Sequence, residues 1–359
     1  MDQQQVRDCL AELTPEALDC DWLSAGALEA LEIDDQCLRV ALVLGYPCQT
    51  VLADERARLQ AALAGIAEGR RVELSLRWQV QPHAVQGSLA ALPEVANIIA
   101  VSSGKGGVGK STTTVNLALA LAAEGARVGV LDADIFGPSI PTMLGVAADT
   151  RPELTDSKQF LPVMAHGLAM MSMGLLTDAN TPVVFRGPKA SGALLQLLEQ
   201  TRWPALDYLL VDMPPGTSDI PLTLAQRVPV AGAVVVTTPQ DIALLDAIKG
   251  IELFRKTGIR VLGIIENMAV HVCSACGHQE HVFGSGGGAR VAQQYDTALL
   301  GSLPLSAGIR AQADSGAPTV ISAADSAEAA CYRQVARRLT AGLALTGIGR
   351  RAFPRIVNH

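Results

Sequence analysis

The densest chemistry in this 359-residue chain lies at Gly104-Lys105-Gly106-Gly107-Val108-Gly109-Lys110-Ser111-Thr112. Residues Gly104 to Ser111 satisfy G-x-x-x-x-G-K-[ST], a loop whose glycines let successive backbone N–H groups converge on a phosphate. Lys110 is placed to neutralise terminal phosphates, and the Ser111 hydroxyl to meet Mg²⁺. The apolar run Tyr208–Val211 ends in Asp212, a carboxylate positioned to hold the same Mg²⁺. Pro214 and Pro215 stiffen the turn that follows, and Gly216 brings a backbone N–H to where a γ-phosphate is sensed. A further pair of acids, Asp132 and Asp134, follows another apolar run. Asp132 suits support of Mg²⁺ or of the loop, although an Asx turn at a strand end has the same sequence.

A second chemistry is carried by His271-Val-Cys273-Ser-Ala-Cys276-Gly-His278-Gln-Glu-His281. C-x-x-C spacing lets two thiolates reach one metal centre. Two are too few for a cluster that takes four cysteines, and a symmetric dimer bringing two such loops together supplies four. The alternative within one chain is a zinc site made by Cys273, Cys276, His278 and His281. A redox pair fits less well, since the motif lies far from the first strand–helix unit.

These residues need a scaffold that ends strands at one edge. From Asn97 onward, apolar strands alternate with amphipathic helices, which predicts an α/β P-loop NTPase with a mostly parallel sheet and helices on both faces. Expected strands are 98–101, 127–131, 208–211, 233–237, 261–265 and 299–303; expected helices include 190–200, 242–256 and 327–341. Ligands of such sheets bind beyond the carboxyl ends of the strands, where the motifs above fall. Residues 1–83 predict a separate small α+β domain, with a helix over 6–13, a strand over 37–44, a helix over 51–66 and an alternating strand over 72–80. A linker over 84–96, an ATPase domain over 97–345 and a basic tail over 346–359 complete the division. Cys48, after Tyr46-Pro47, is either a functional thiol or a small buried hydrophobe.

Composition narrows the class. Lys and Arg total 28 against 35 Asp and Glu, a net charge of −7, which does not suggest a nucleic-acid surface. No apolar run approaches the roughly 18 residues of a membrane span, and the polar N-terminus lacks a signal-peptide core. Seven cysteines, five of them scattered singly, fit a reducing cytoplasm better than a disulfide framework. The absence of an Asn-Lys-x-Asp guanine motif favours ATP over GTP.

Lys105-Gly-Gly-Val-Gly-Lys-Ser111 resembles the deviant Walker A signature of septum-site ATPases, plasmid-partition ATPases and the nitrogenase iron protein. Taken with Asp132–Asp134, Asp212–Asp219, Thr237–Asp241, Glu266–Met268 and Cys273–His278, the chain resembles the Mrp/ApbC family of iron–sulfur cluster carrier ATPases over residues 95–322. Residues 1–83 are similar to the small iron–sulfur-assembly domain that accompanies it, with Asp19-Cys-Asp21 in place of an Asp-Pro pair. The resemblance implies a homodimer that binds and hydrolyses ATP, holds a [4Fe–4S] cluster between subunits on Cys273 and Cys276, and exchanges it with scaffold proteins and apoproteins. It implies that Lys105 reaches the partner's nucleotide, that Asp134 helps position the attacking water, and that Asn267 and Pro304 line the adenine pocket. Ser218, where a glycine is common, and Lys189 depart from the pattern. The competing class is a positioning or partition ATPase, which would require a basic surface or an amphipathic membrane helix at the C-terminus; Arg350, Arg351 and Arg355 supply only a small basic tail.

Overall fold

The computed structural model describes residues 2–87, 89–176 and 187–347. It forms two compact units, one of residues Met1–His83 with Arg337–His359 and one of Ala84–Ala336.

The first unit begins with α1 (Gln3–Ala11), then β1 (Leu28–Ile33), β2 (Cys37–Leu44), α2 (Leu52–Ile66) and β3 (Arg71–Trp78). The strands lie in the order β1-β2-β3, antiparallel then parallel. Helix α1 starts earlier than apolar spacing indicates, because Asp2 and Gln5 form a reciprocal capping box: each side chain bonds the other's backbone N–H. Strand β1 escaped the sequence reading. It is a half-exposed edge strand whose burial does not alternate cleanly. Val6, Leu10, Trp22, Leu38, Leu42, Leu59 and Leu63 form the core. Tyr46 and Cys48 are buried in it, so Cys48 serves packing; burial also pushes the Tyr46 phenol well above its usual range.

The second unit contains β4 (Val95–Ser102), α3 (Lys110–Ala123), β5 (Val128–Asp132), α4 (Ile140–Met143), β6 (Val163–Ala165), β7 (Leu168–Ser172), α5 (Gly187–Gln200), β8 (Leu206–Asp212), α6 (Asp219–Arg227), β9 (Gly232–Thr237) and α7 (Asp241–Lys256). There follow β10 (Val261–Glu266), a short hairpin of β11 (His271–Val272) and β12 (Gln279–Glu280), α8 (Gly287–Gln294), β13 (Leu299–Ser302), α9 (Ala307–Asp314), α10 (Thr319–Ser322) and the first half of α11 (Ala327–Leu345). Eight strands form one sheet in the order β13-β10-β9-β4-β8-β5-β7-β6. Every pairing is parallel except β6 with β7. The central strands β4, β5, β8 and β9 are almost wholly buried, as expected of strands covered on both faces.

Two boundaries differ from the sequence expectation. Strand β4 begins at Val95, inside the expected linker. From Arg337 onward α11 groups with the first unit, where the sequence division kept residues to 345 with the ATPase domain. Ala341 belongs to the first unit's core, and Arg337 bonds Glu16 at 2.8 Å. Helical periodicity reveals an apolar face but not which core receives it. The expected tail beyond residue 347 lies outside the described residues.

Candidate nucleotide and metal sites

The phosphate loop leaves the central strand and turns into α3. Gly107 and Gly109 both take φ of 81°, a left-handed conformation that costs other residues most. A side-chain carbon at Gly109 would overlap the amide nitrogen of Asn267, and one at Gly104 would overlap the backbone of Asp246 on α7. Glycine is required at both places by neighbours, and at Gly109 by the left-handed backbone as well.

Strand register delivers the acids. Asp132 on β5 lies opposite Asp212 on β8, and Asp212 opposite Val101 on β4. Asp212 is fully buried, and Lys110 reaches it at 2.7 Å with only 6% of its side chain exposed. Ser111 Oγ donates to Asp212 Oδ2 at 2.6 Å, and Thr114 Oγ1 to Oδ1 at 2.7 Å. One carboxylate thus collects an ammonium and two hydroxyls, a set that satisfies a buried charge. Lysine, serine and aspartate form one knot; the serine and aspartate oxygens are hard donors of the kind Mg²⁺ takes.

Asp132 accepts from Ile140 N at 3.2 Å, Ser172 Oγ at 3.1 Å and Asp134 N at 3.2 Å. It anchors the loop that carries Asp134. Burial, then the charge of Asp212, pushes its carboxyl up to about 7. Asp134 is half-buried, and desolvation raises its pKa while Lys110 opposes the rise. Beyond β8, Gly216 N donates to Ser103 O at 2.9 Å, which fixes that turn beside the phosphate loop. Lys105 is half-buried, and among the described residues its ammonium has no ion-pair partner.

Asn267 is buried, and its Nδ2 donates to Val108 O at 2.8 Å. Leu303 N donates to Glu266 O at 2.8 Å, and Ala269 N to Leu303 O at 2.9 Å. Those bonds bring Pro304 alongside the Asn267 segment.

Cys273 and Cys276 lie in the turn of the β11–β12 hairpin, Cys273 partly buried and Cys276 exposed. Cys273 N donates to His278 O at 2.9 Å and Gly277 N to Cys273 O at 2.8 Å. Backbone N–H groups of Ala275 and Cys276 aim at the Cys273 sulfur and hold its pKa below the ordinary thiol value. Among the described residues no three His, Cys, Asp or Glu side chains gather as a metal site. His281 Nδ1 instead donates to Ala269 O at 2.7 Å. The one-chain zinc arrangement is therefore not assembled among the described residues, and the hairpin offers two thiols.

A family model described as the NUBPL iron-transfer P-loop NTPase matches residues 94–340. The chain belongs to that family. A second model, an iron–sulfur cluster assembly protein, matches residues 3–76. An iron–sulfur cluster carrier protein from Escherichia coli K12 is 50% identical over 338 residues, spanning 94% of this chain and 91% of the relative. One from Pseudomonas fragi is 59% identical over 278 residues, 77% of this chain and 97% of the relative. The mouse iron–sulfur cluster transfer protein NUBPL is 49% identical over 244 residues, 67% of this chain and 76% of its own. Among solved structures, an Archaeoglobus fulgidus nucleotide-binding protein in complex with ADP shares 37% identity with a TM-score of 0.56, covering 62% of this chain and 87% of that one. The Pyrococcus furiosus cell division ATPase MinD, 22% identical with a TM-score of 0.52, shares the fold over 68% of this chain and 98% of its own.

In this P-loop NTPase, Lys110, Ser111, Asp212 and Gly216 converge around the phosphate loop; Asn267 touches the loop from the turn after β10, and the cysteines sit apart on their hairpin. Sequence reading missed Thr114, Asp246 and Ser172, and read His281 as a candidate zinc ligand where it bonds Ala269 O instead. Thr114 follows Ser111 by three positions, one helical turn, which signals a shared face. The others act through tertiary partners that no local spacing announces.

Proposed function

We propose that this iron-transfer P-loop NTPase is an ATP-hydrolysing iron–sulfur cluster carrier that works as a cytoplasmic homodimer. The observation that carries the reading is the hairpin that presents two accessible thiols, with no third ligand gathered among the described residues. A second copy of the hairpin completes a four-cysteine set for a [4Fe–4S] cluster, the cargo. Apolar Ile242 and Leu245, 71% and 61% exposed on α7, offer surface for that copy. Scaffold proteins and apoproteins are the donors and acceptors; neither nucleic acid nor membrane enters.

In the ATPase cycle Lys110 leaves Asp212 for the β- and γ-phosphates. Ser111 and Asp212 would hold Mg²⁺, which would supply charge neutralisation at the terminal phosphate. The backbone N–H groups from Gly104 to Thr112 cradle the phosphates, and Gly216 N exchanges Ser103 O for the γ-phosphate. Asp134 orients the attacking water, and Lys105 crosses to the partner's nucleotide. Asn267 and Pro304 border the base.

The test is anaerobic reconstitution with iron and sulfide, with metal, sulfide and native-mass analysis of wild type beside Cys276→Ala. One cluster per dimer, lost in the variant, is expected. Zinc bound per monomer without sulfide uptake would refute the carrier reading. Lys110→Ala is expected to abolish ATP hydrolysis while leaving cluster loading intact.

A further inference from the structure

The short segment Glu266–Val270 touches both chemistries. At one end, Asn267 donates its amide to Val108 O in the phosphate loop at 2.8 Å, and its backbone N–H to Thr237 O at 2.7 Å. The contact has no slack, because Gly109 lies so close that a side-chain carbon there would overlap the Asn267 amide. At the other end, Ala269 O accepts from His281 Nδ1 at 2.7 Å. His281 directly follows β12, and His271 opens β11 opposite Glu280. The imidazole therefore closes the base of the cysteine hairpin onto the segment that feels the phosphate loop. Met268, between the two contacts, takes φ of 57°, a left-handed conformation uncommon for a residue other than glycine. Ala269 N is itself tied to Leu303 O, and Val270 O to Leu305 N, at 2.9 and 2.8 Å.

We infer that His281 is a positioning residue that transmits nucleotide occupancy from the phosphate loop to the cysteine hairpin through Asn267, Met268 and Ala269. The inference rests on the carrier reading for its purpose, though not for its test. The group with two partners is Lys110, directly after Gly109 in the loop: it is paired with Asp212 here and must leave it to meet phosphate. A shift of Val108 and Gly109 displaces Asn267, and the His281 bond carries the displacement to the turn that holds Cys273 and Cys276. Coupling of this kind requires a bistable element biased from both ends rather than proximity alone.

The test uses the full-length, cluster-free protein. Alkylation rates of Cys273 and Cys276 are followed by peptide mass spectrometry, with and without Mg²⁺ and a non-hydrolysable ATP analogue. Wild type should show a nucleotide effect of about threefold to tenfold, the range one hydrogen bond of ordinary net strength transmits. His281→Ala should bring the ratio to near one while the analogue still binds. His281→Asn, whose amide nitrogen occupies nearly the place of Nδ1, should restore it; a merely structural role predicts no such rescue. Met268→Gly, which suits the left-handed turn and gives it slack, should also weaken the response without unfolding the chain. A wild type indifferent to nucleotide, a full response in His281→Ala, or no rescue by His281→Asn would each overturn the inference. Failure of cluster reconstitution alongside an intact alkylation response would remove the carrier reading and leave the coupling standing.

Discussion

The Lys110–Asp212 pair gives the sharpest test of the site's energetics. Lys110→Met keeps the length of the side chain and removes its charge. The partners stand 2.7 Å apart, 6% and 0% exposed, so the substitution strands a carboxylate with no solvent. Breaking such a pair from one side costs about 3–5 kcal/mol. The hydroxyls of Ser111 and Thr114 still donate to Asp212 and offset about 1 kcal/mol of it. A net loss of about 2–4 kcal/mol remains, or about 4–8 °C in the melting temperature of a unit this size. Asp212→Asn should cost a similar amount by stranding the ammonium. The double variant should return to within about 1 kcal/mol of wild type, because removing both charges removes the desolvation penalty with them. Calorimetry on nucleotide-free, metal-free protein measures this, with hydrogen exchange in α3 and β8 assigning the transition to the second unit. Two single variants that each cost under about 1 kcal/mol and add without coupling would refute the reasoning.

Three further outcomes follow from the geometry. Gly109→Ala, strained at its positive φ and overlapping Asn267, should eliminate nucleotide binding in a fluorescent-nucleotide titration. Lys105→Ala should lower kcat by about 10²–10³-fold, the usual effect of losing one charge-stabilising donor, with ATP affinity unchanged in the same titration. In metal-free protein near neutral pH, iodoacetamide should label Cys273 first. Its rate should rise with pH and level off below the usual thiol range, because backbone N–H groups stabilise the thiolate. Cys9, Cys20 and Cys331, whose thiols are raised by burial and then by nearby carboxylates, should label only as the pH climbs further; peptide mapping reads both.

What the sequence made legible was whatever short spacing determines. The phosphate loop and the Asp212 strand end are local geometries, and alternating strands and helices imply a parallel sheet. Strand β7 was missed because Leu168–Ser172 is fully buried and carries leucine, alanine and methionine, with no β-branched residue to separate a buried strand from a piece of buried helix. Edge strand β1 was missed because its half-exposed residues show no clean alternation. The engagement of Asp212 by Thr114 and of Ala269 by His281 depends on which strands become neighbours, which sequence order leaves open. The C-terminal half of α11 shows the same limit: its apolar face was visible and its destination was not.

That destination has a consequence for how the protein is made. The first unit draws Ala341 into its core, pairs Glu16 with Arg337, and brings Ala344 so near Gly45 that a side-chain carbon there would lie 2.8 Å from it. Between its two stretches of chain run residues 84–336, or 336 − 84 + 1 = 253 residues. At about 5–20 residues per second on the ribosome, the amino-terminal part waits roughly 13–50 seconds for its last helix. Through that interval the part of its apolar core that Ala341 closes stays open to whatever nascent-chain binding factors the cell supplies. A premature stop shortly before Arg337 therefore injures the end of the protein that was translated first.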